Sequence, residues 1–196
     1  MKKMFKLFTT AVVFMLFTMF SAQAQYRFGV LAGANFADVV GDESSDNAIK
    51  TSFHAGIGIE GSLNERYSLT LAALYSVKGT KSEEISDLCV DINYVEFPLA
   101  IKYQLENGFG FWVGPYFGIL TSANFKFDNE SEEVTEQFND LDAGVKLGLG
   151  YRLKNGLGIH VDYSRGLTNI DYFDNSDLEN QNSVFGAGLS YYISTK

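Results

Sequence analysis

Cysteine occurs once, at Cys89, so no internal disulfide can form and a disulfide-stapled scaffold is excluded. Histidine is limited to His54 and His160, and neither has a Cys or His partner at metal-ligand spacing, so the case for a zinc site is weak. The Gly-x-Gly pairs fall within alternating segments with no helix after them, so no phosphate-binding loop and no other cofactor motif is present. Bases are scarce: 15 Lys and Arg stand against 24 Asp and Glu, for a net charge of −9, a poor balance for binding nucleic acid. Proline appears only at Pro98 and Pro115. Beyond residue 24 no apolar run approaches the length of a spanning helix. Any part of that region that enters lipid must therefore do so as a closed β-barrel, because lipid offers no partners to unpaired backbone groups.

The first 24 residues are built differently. Lys2, Lys3 and Lys6 precede an apolar run from Leu7 to Phe20, and Ala22-Gln23-Ala24 has the small-x-small pattern of a cleavage site. This layout predicts a secretory signal peptide over 1–24, cleaved after Ala24, and a barrel domain over 25–196. No cysteine stands at the cleavage point, so a lipoprotein anchor is not expected. Loss of the three leader lysines leaves 12 bases against 24 acids, a net charge of −12.

What remains is rich in aromatics, 15% of all residues, and in glycine, 19 in number. From Tyr26 onward apolar and polar residues alternate with the period of a strand. Eight strands are predicted, at 26–37, 51–62, 66–77, 91–105, 108–120, 138–153, 156–167 and 183–194. Their length suits tilted membrane strands. Three connections are tight, two of them ending in Asn107-Gly108 and Asn155-Gly156, strong hairpin signals. Four are long and polar, at 38–50, 78–90, 121–137 and 168–182. Short turns at one end and long loops at the other are the layout of an all-β, eight-stranded antiparallel up-and-down transmembrane β-barrel, both termini on the short-turn side.

The glycines set which face is inside. Fourteen of the 19 share the polar face of the strands, among them Gly29, Gly58, Gly144 and Gly148. An eight-stranded barrel has an interior just wide enough for side chains. Glycine makes room there for Trp112, Tyr116 and the charged residues, whereas on a water-exposed face it would only weaken the strands. The apolar face then meets lipid, which weighs against a soluble lipocalin-like carrier. Tyr67, Tyr103, Phe109, Tyr151 and Tyr191 mark that face near the short turns, and Phe36, Phe53, Tyr75, Tyr163 and Phe185 near the long loops. Two such rings match the girdles at the membrane interfaces. The inner face carries four bases, Arg27, Lys102, Lys146 and Arg152, and four acids, Glu60, Glu96, Asp142 and Asp162. That balance predicts a packed interior rather than a narrow pore.

Chemistry is thinly represented. His160, Asp162 and Ser164 share one side of one strand, but His160 and Ser164 are separated by roughly 13 Å at strand rise. They also face inward, where a lipid-acting enzyme of the membrane would have no use for them. A polar network is the expected role, and no catalytic, cofactor-binding or metal-binding residue is assigned. The loops hold clustered carboxylates, including Glu130, Glu132, Glu133 and Glu136, without the spacing of a calcium loop. They are read as solvated charge.

The stretch Tyr94-Val95-Glu96-Phe97-Pro98-Leu99-Ala100-Ile101-Lys102-Tyr103 resembles a signature of the PorT-like outer-membrane β-barrel family of gram-negative Bacteroidota. Phe111-Trp112-Val113-Gly114-Pro115-Tyr116-Phe117-Gly118 resembles that family's next strand, and Tyr163-Ser164-Arg165-Gly166-Leu167-Thr168-Asn169-Ile170 its seventh. The resemblance implies a small barrel of the OmpA and OmpX type in the cell outer membrane. The founding member's association with secretion is not carried by any matched residue, and the chain ends on Ser194-Thr195-Lys196 rather than on an aromatic residue. The expected partners are outer-membrane lipid and lipopolysaccharide, with a protein partner reached through the long loops. No nucleic acid and no small-molecule substrate is expected.

Overall fold

The structure is a computed structural model that describes residues 25–41, 47–83, 85, 88–128, 130–171 and 179–194. The signal peptide expected over 1–24 lies outside the described residues, as do the loop acids Asp42, Glu43, Asp46, Glu84, Asp87, Asp174 and Asp177. Ten strands are present in chain order: β1 Tyr26–Gly41, β2 Asn47–Ala48, β3 Lys50–Ser62, β4 Tyr67–Ser82, β5 Leu88–Gln104, β6 Phe109–Phe127, β7 Glu130–Glu133, β8 Leu141–Arg152, β9 Leu157–Gly166 and β10 Asn180–Ser194. Eight of them are long and form one antiparallel ring. It runs β4-β3-β1-β10-β9-β8-β6-β5 and closes through β4–β5 pairing. Each long strand pairs with its neighbours in sequence, and β1 pairs with β10, so the meander is shut and leaves no open edge on the ring.

The turns explain the meander. Gly108 N–H donates to Leu105 O (3.1 Å) and Leu105 N–H to Phe109 O (2.7 Å). The same pattern joins Gly156 to Leu153 (3.0 Å) and Leu153 to Leu157 (2.8 Å). Gly108 (φ 97°) and Gly156 (φ 92°) adopt the left-handed conformation, while Asn107 and Asn155 do not. Both hairpins are thus type I turns followed by a glycine bulge, rather than two-residue turns with Asn at positive φ. The Asn side chains accept instead, from Phe109 N–H (3.2 Å) and Leu157 N–H (3.1 Å).

The strands reach further than the alternation indicated. β4, β5 and β6 have 16, 17 and 19 residues and rise well into the segments read as loops. Above the membrane both faces of a strand meet polar surroundings, so alternation fades while backbone pairing continues. At that end an apolar cap forms from Val39, Ile92, Tyr94, Ala123 and Ile170, with Val134 and Phe138 against it. The connecting chain is tied down to hold it: Val134 N–H donates to Ala123 O (2.9 Å) and Asn139 N–H to Ile170 O (2.7 Å).

The two prolines leave a mark on the wall. Proline cannot donate to a ladder. Pairing between β4 and β5 lapses where Ala72 and Ala73 face Phe97 and Pro98. Between β5 and β6 it lapses where Leu99 and Ala100 face Gly114 and Pro115. The carbonyls of Ala72 and Leu99 therefore lack a ladder donor on adjacent stretches of the wall.

Sidedness follows the glycine argument. Outward residues are apolar and exposed, for example Val30 at 58%, Ile57 at 65% and Val113 at 55%. Inward residues include buried Glu60, Glu96, Lys78, Lys102 and Asp142. A Cβ on Gly148 would stand 2.5 Å from the Trp112 ring, one on Gly144 2.7 Å from Tyr116, and one on Gly29 2.6 Å from Tyr192. Each of these glycines is the space a large inner side chain occupies. The aromatic rings also assemble as pairs: Tyr67 with Tyr103 at 5.1 Å and Phe109 with Tyr151 at 5.0 Å near the turns, Phe53 with Tyr75 at 6.0 Å and Phe36 with Phe185 at 6.4 Å near the loops.

Candidate functional site: the barrel interior

The inner side chains stack in layers. The upper ionic layer centres on Lys78, 1% exposed, whose Nζ lies 2.7 Å from Glu96 and 3.0 Å from Asp142. Lys146 joins Glu96 at 2.6 Å and Asp162 at 3.5 Å. Asp142 also accepts from Tyr116 Oη (3.2 Å) and Asn182 Nδ2 (2.9 Å). The Lys78 ammonium sits 4.3 Å from the Tyr116 ring centre, within cation–π range.

Below it, His54 faces His160 at 6.0 Å between ring centres, and His160 faces Trp112 at 6.2 Å. His54 Nδ1 bonds Asn35 Oδ1 (2.7 Å), and Asn35 Nδ2 donates to Ser76 Oγ (3.1 Å). The lower ionic layer gathers three bases on one carboxylate. Arg27 reaches Glu60 at 2.9 Å, Lys102 at 3.3 Å, and Arg152 with two bonds of 2.8 and 2.6 Å. A chamber of about 110 Å³ adjoins this layer, bounded in part by Leu31, Pro98 and Trp112.

Two differences from the sequence reading stand out. Lys78 belongs to β4 and to the interior, not to a loop, and adds a fifth base to the four bases and four acids read as inward; buried Lys50, paired with Asp91, lies inside as well. The charge is also divided unevenly between layers, with the lower one carrying three bases and one acid. Sequence carried a partial signal for Lys78, since Leu74, Ser76 and Lys78 continue the inward parity of the strand.

The three residues weighed for nucleophilic chemistry do line the interior. His160 Nε2 is 3.9 Å from Asp162 Oδ2, while Asp162 is drawn to Lys146. Ser164, 2% exposed, lies opposite Lys146 in the β8–β9 ladder. The acids Glu130, Glu132, Glu133 and Glu136 are exposed, and Glu133 accepts from Thr135 Oγ1 (3.0 Å). Among the described residues no three His, Cys, Asp or Glu side chains converge as a metal site would require. Cys89 is a half-buried free thiol on β5.

Known proteins align with this architecture. Neisserial surface protein A has the same fold, with a TM-score of 0.56 and 11% identity over 84% of this chain and 96% of its own. Ail, the attachment invasion locus protein of Yersinia pestis, superposes with a TM-score of 0.51 and 13% identity over 85% of this chain and 98% of its own. Both are eight-stranded outer-membrane barrels. No curated protein matches the sequence. A family model described as an outer membrane protein beta-barrel domain matches residues 21–172. The chain belongs to that family, an outer-membrane protein built as a small antiparallel β-barrel.

Proposed function

We propose that this is a non-enzymatic outer-membrane protein with a side-chain-filled interior, which acts through its loop end as an interaction surface. The observation that supports this most is the filling of the lumen by two ionic layers beneath an apolar cap. The groups with nucleophilic potential lie inside, away from lipid, which disfavours a lipid-acting enzyme. The exposed loop end presents Glu130, Glu132, Glu133 and Glu136. Ail has been solved in complex with sucrose octasulfate, a heparin analogue. Four exposed carboxylates make a polyanion a poor ligand here, and a protein partner with a basic surface fits better. Lipopolysaccharide would surround the outer wall. A place in a secretion apparatus, as the likeness to the PorT-like family raises, is a question of partner identity, and crosslinking in intact cells would answer it. Export by a signal peptide cleaved after Ala24 is part of the same reading and predicts Gln25 as the mature first residue.

Two measurements test it. The protein should fractionate with outer membranes and migrate at different apparent sizes in boiled and unboiled detergent gels, as a closed barrel resists detergent until heated. Recovery as a soluble periplasmic species would refute the reading. In planar bilayers the purified barrel should give no steady channel, because the apolar cap and both ionic layers obstruct the axis. Reproducible unitary conductance would promote the narrow pore instead.

A further inference from the structure

The chamber beside the lower ionic layer is surrounded by an unusual combination of groups. Its polar side holds Lys102 and Arg152, whose side chains are 11% and 16% exposed. Both lean on Glu60, which also serves Arg27. Three bases on one acid leave a charge of +2, in a chain whose net charge is −9. The other inner acids do not help: Glu96 and Asp142 are held by Lys78, and Asp162 lies beside Lys146. Arg27, 32% exposed, is open to solvent at the turn end, but Lys102 and Arg152 are not. Buried cations without their own counter-charge are costly, and the fold has placed an empty space against them.

One side of the chamber is apolar, with Leu31, Leu74, Pro98 and Trp112 among its walls, while His54, His160 and the paired Lys146 and Asp162 border it toward the upper layer. A dry cavity near 150 Å³ can hold benzene, so about 110 Å³ fits a chain of roughly four carbons. Ala72, Ala100, Gly114 and both prolines also border the chamber, so its wall coincides with the stretch where the two ladders lapse. There the barrel has the fewest backbone bonds to break and only small side chains behind them.

We propose that this chamber is a binding site for a small apolar-tailed monocarboxylate, its carboxylate on Lys102 and Arg152 and its tail against Trp112, reached from the membrane through the proline-interrupted wall. The site is independent of the loop-end reading, because it uses no residue of the loops. With Arg27 open to solvent, buried Lys102 and Arg152 against Glu60 leave an excess of +1, which a monoanion matches; the Lys102 ammonium and the Arg152 N–H groups not turned to Glu60 supply charge-assisted donors for it. A neutral tail of the same length would keep the apolar contacts and lose the attraction.

The barrel refolded into phosphatidylcholine vesicles tests this with 4,4,4-trifluorobutanoate followed by fluorine NMR. The expected result is a saturable shift that butanoate competes away and an equal concentration of chloride does not. The alcohol 4,4,4-trifluorobutan-1-ol should give no saturable shift. Lys102→Met should weaken binding by about tenfold or more, since it removes a charge-assisted contact. Lys102→Gln provides the same comparison if the methionine variant fails to show the heat-dependent gel shift of a folded barrel, and Lys102→Arg should retain binding. Trp112→Phe should alter the bound chemical shift and weaken binding, since it removes part of the apolar wall against the tail. Pro98→Ala and Pro115→Ala, which restore a ladder donor, should slow exchange. A non-saturable shift, equal binding of the alcohol, displacement by chloride, or indifference to both neutral Lys102 variants would overturn the site. Unchanged exchange in both proline variants would overturn the route.

Discussion

Lys78→Met should destabilise the barrel by roughly 3–5 kcal/mol, the cost of leaving a buried charge without its partner. In the upper layer two bases, Lys78 and Lys146, face three acids, Glu96, Asp142 and Asp162. Loss of Lys78 changes their sum from −1 to −2. Glu96 keeps Lys146, but Asp142 loses the one cation that reaches it among the described residues and retains hydrogen bonds from Tyr116, Asn182 and Thr168. Asp142 is fully buried, so water cannot compensate it. The second substitution Asp142→Asn brings the sum back to −1 and should recover most of the loss. Urea unfolding in lipid vesicles, run as a cycle over the two single variants and the double, measures the coupling. Equal losses in Lys78→Met and in the double variant would show that the cost is lost packing of the long side chain rather than uncompensated charge.

Lys78 also marks the limit of what the sequence discloses. The ring of eight strands, its facing and its girdles were legible because lipid and a crowded interior impose opposite demands on alternate residues. Ile57 and Gly58, or Leu147 and Gly148, declare their faces by type alone. Past the membrane that contrast disappears. Lys78-Gly79-Thr80-Lys81 reads as a polar loop, yet β4 continues through it to Ser82 because β5 remains alongside to pair with it. The apolar cap was hidden for a related reason. Val39, Ile92 and Ile170 are far apart in sequence, and only the long strands and the tied-down connections bring them together. The uneven division of charge between layers was out of reach as well, since it depends on the heights at which tilted strands place Glu60 and Glu96. The chamber arises from small residues on three strands, a feature of register rather than of composition.

Val113→Arg should impair folding where Ser131→Arg does not, and the contrast tests the facing of the whole wall. Val113 lies on β6 between Ile101 of β5 and Leu147 of β8. These three are 55%, 52% and 51% exposed, a contiguous aliphatic patch between the two aromatic rings. A guanidinium placed there meets hydrocarbon on every side, at a cost of about 2–4 kcal/mol near the bilayer midplane. Its side chain can snorkel toward an interface, which trims the cost without removing it. Ser131 sits on β7, exposed at the loop end among Glu130, Glu132 and Glu133, where an added base is solvated and faces opposite charge. Refolding into vesicles, followed by the fraction of protein that shows heat-dependent gel migration, compares the two directly. The Val113 variant should also regain folding efficiency in thin bilayers, where the guanidinium reaches an interface more easily. Equal folding of both variants in thick and thin bilayers alike would mean that the aliphatic face does not contact lipid, and the barrel would then have to be turned inside out.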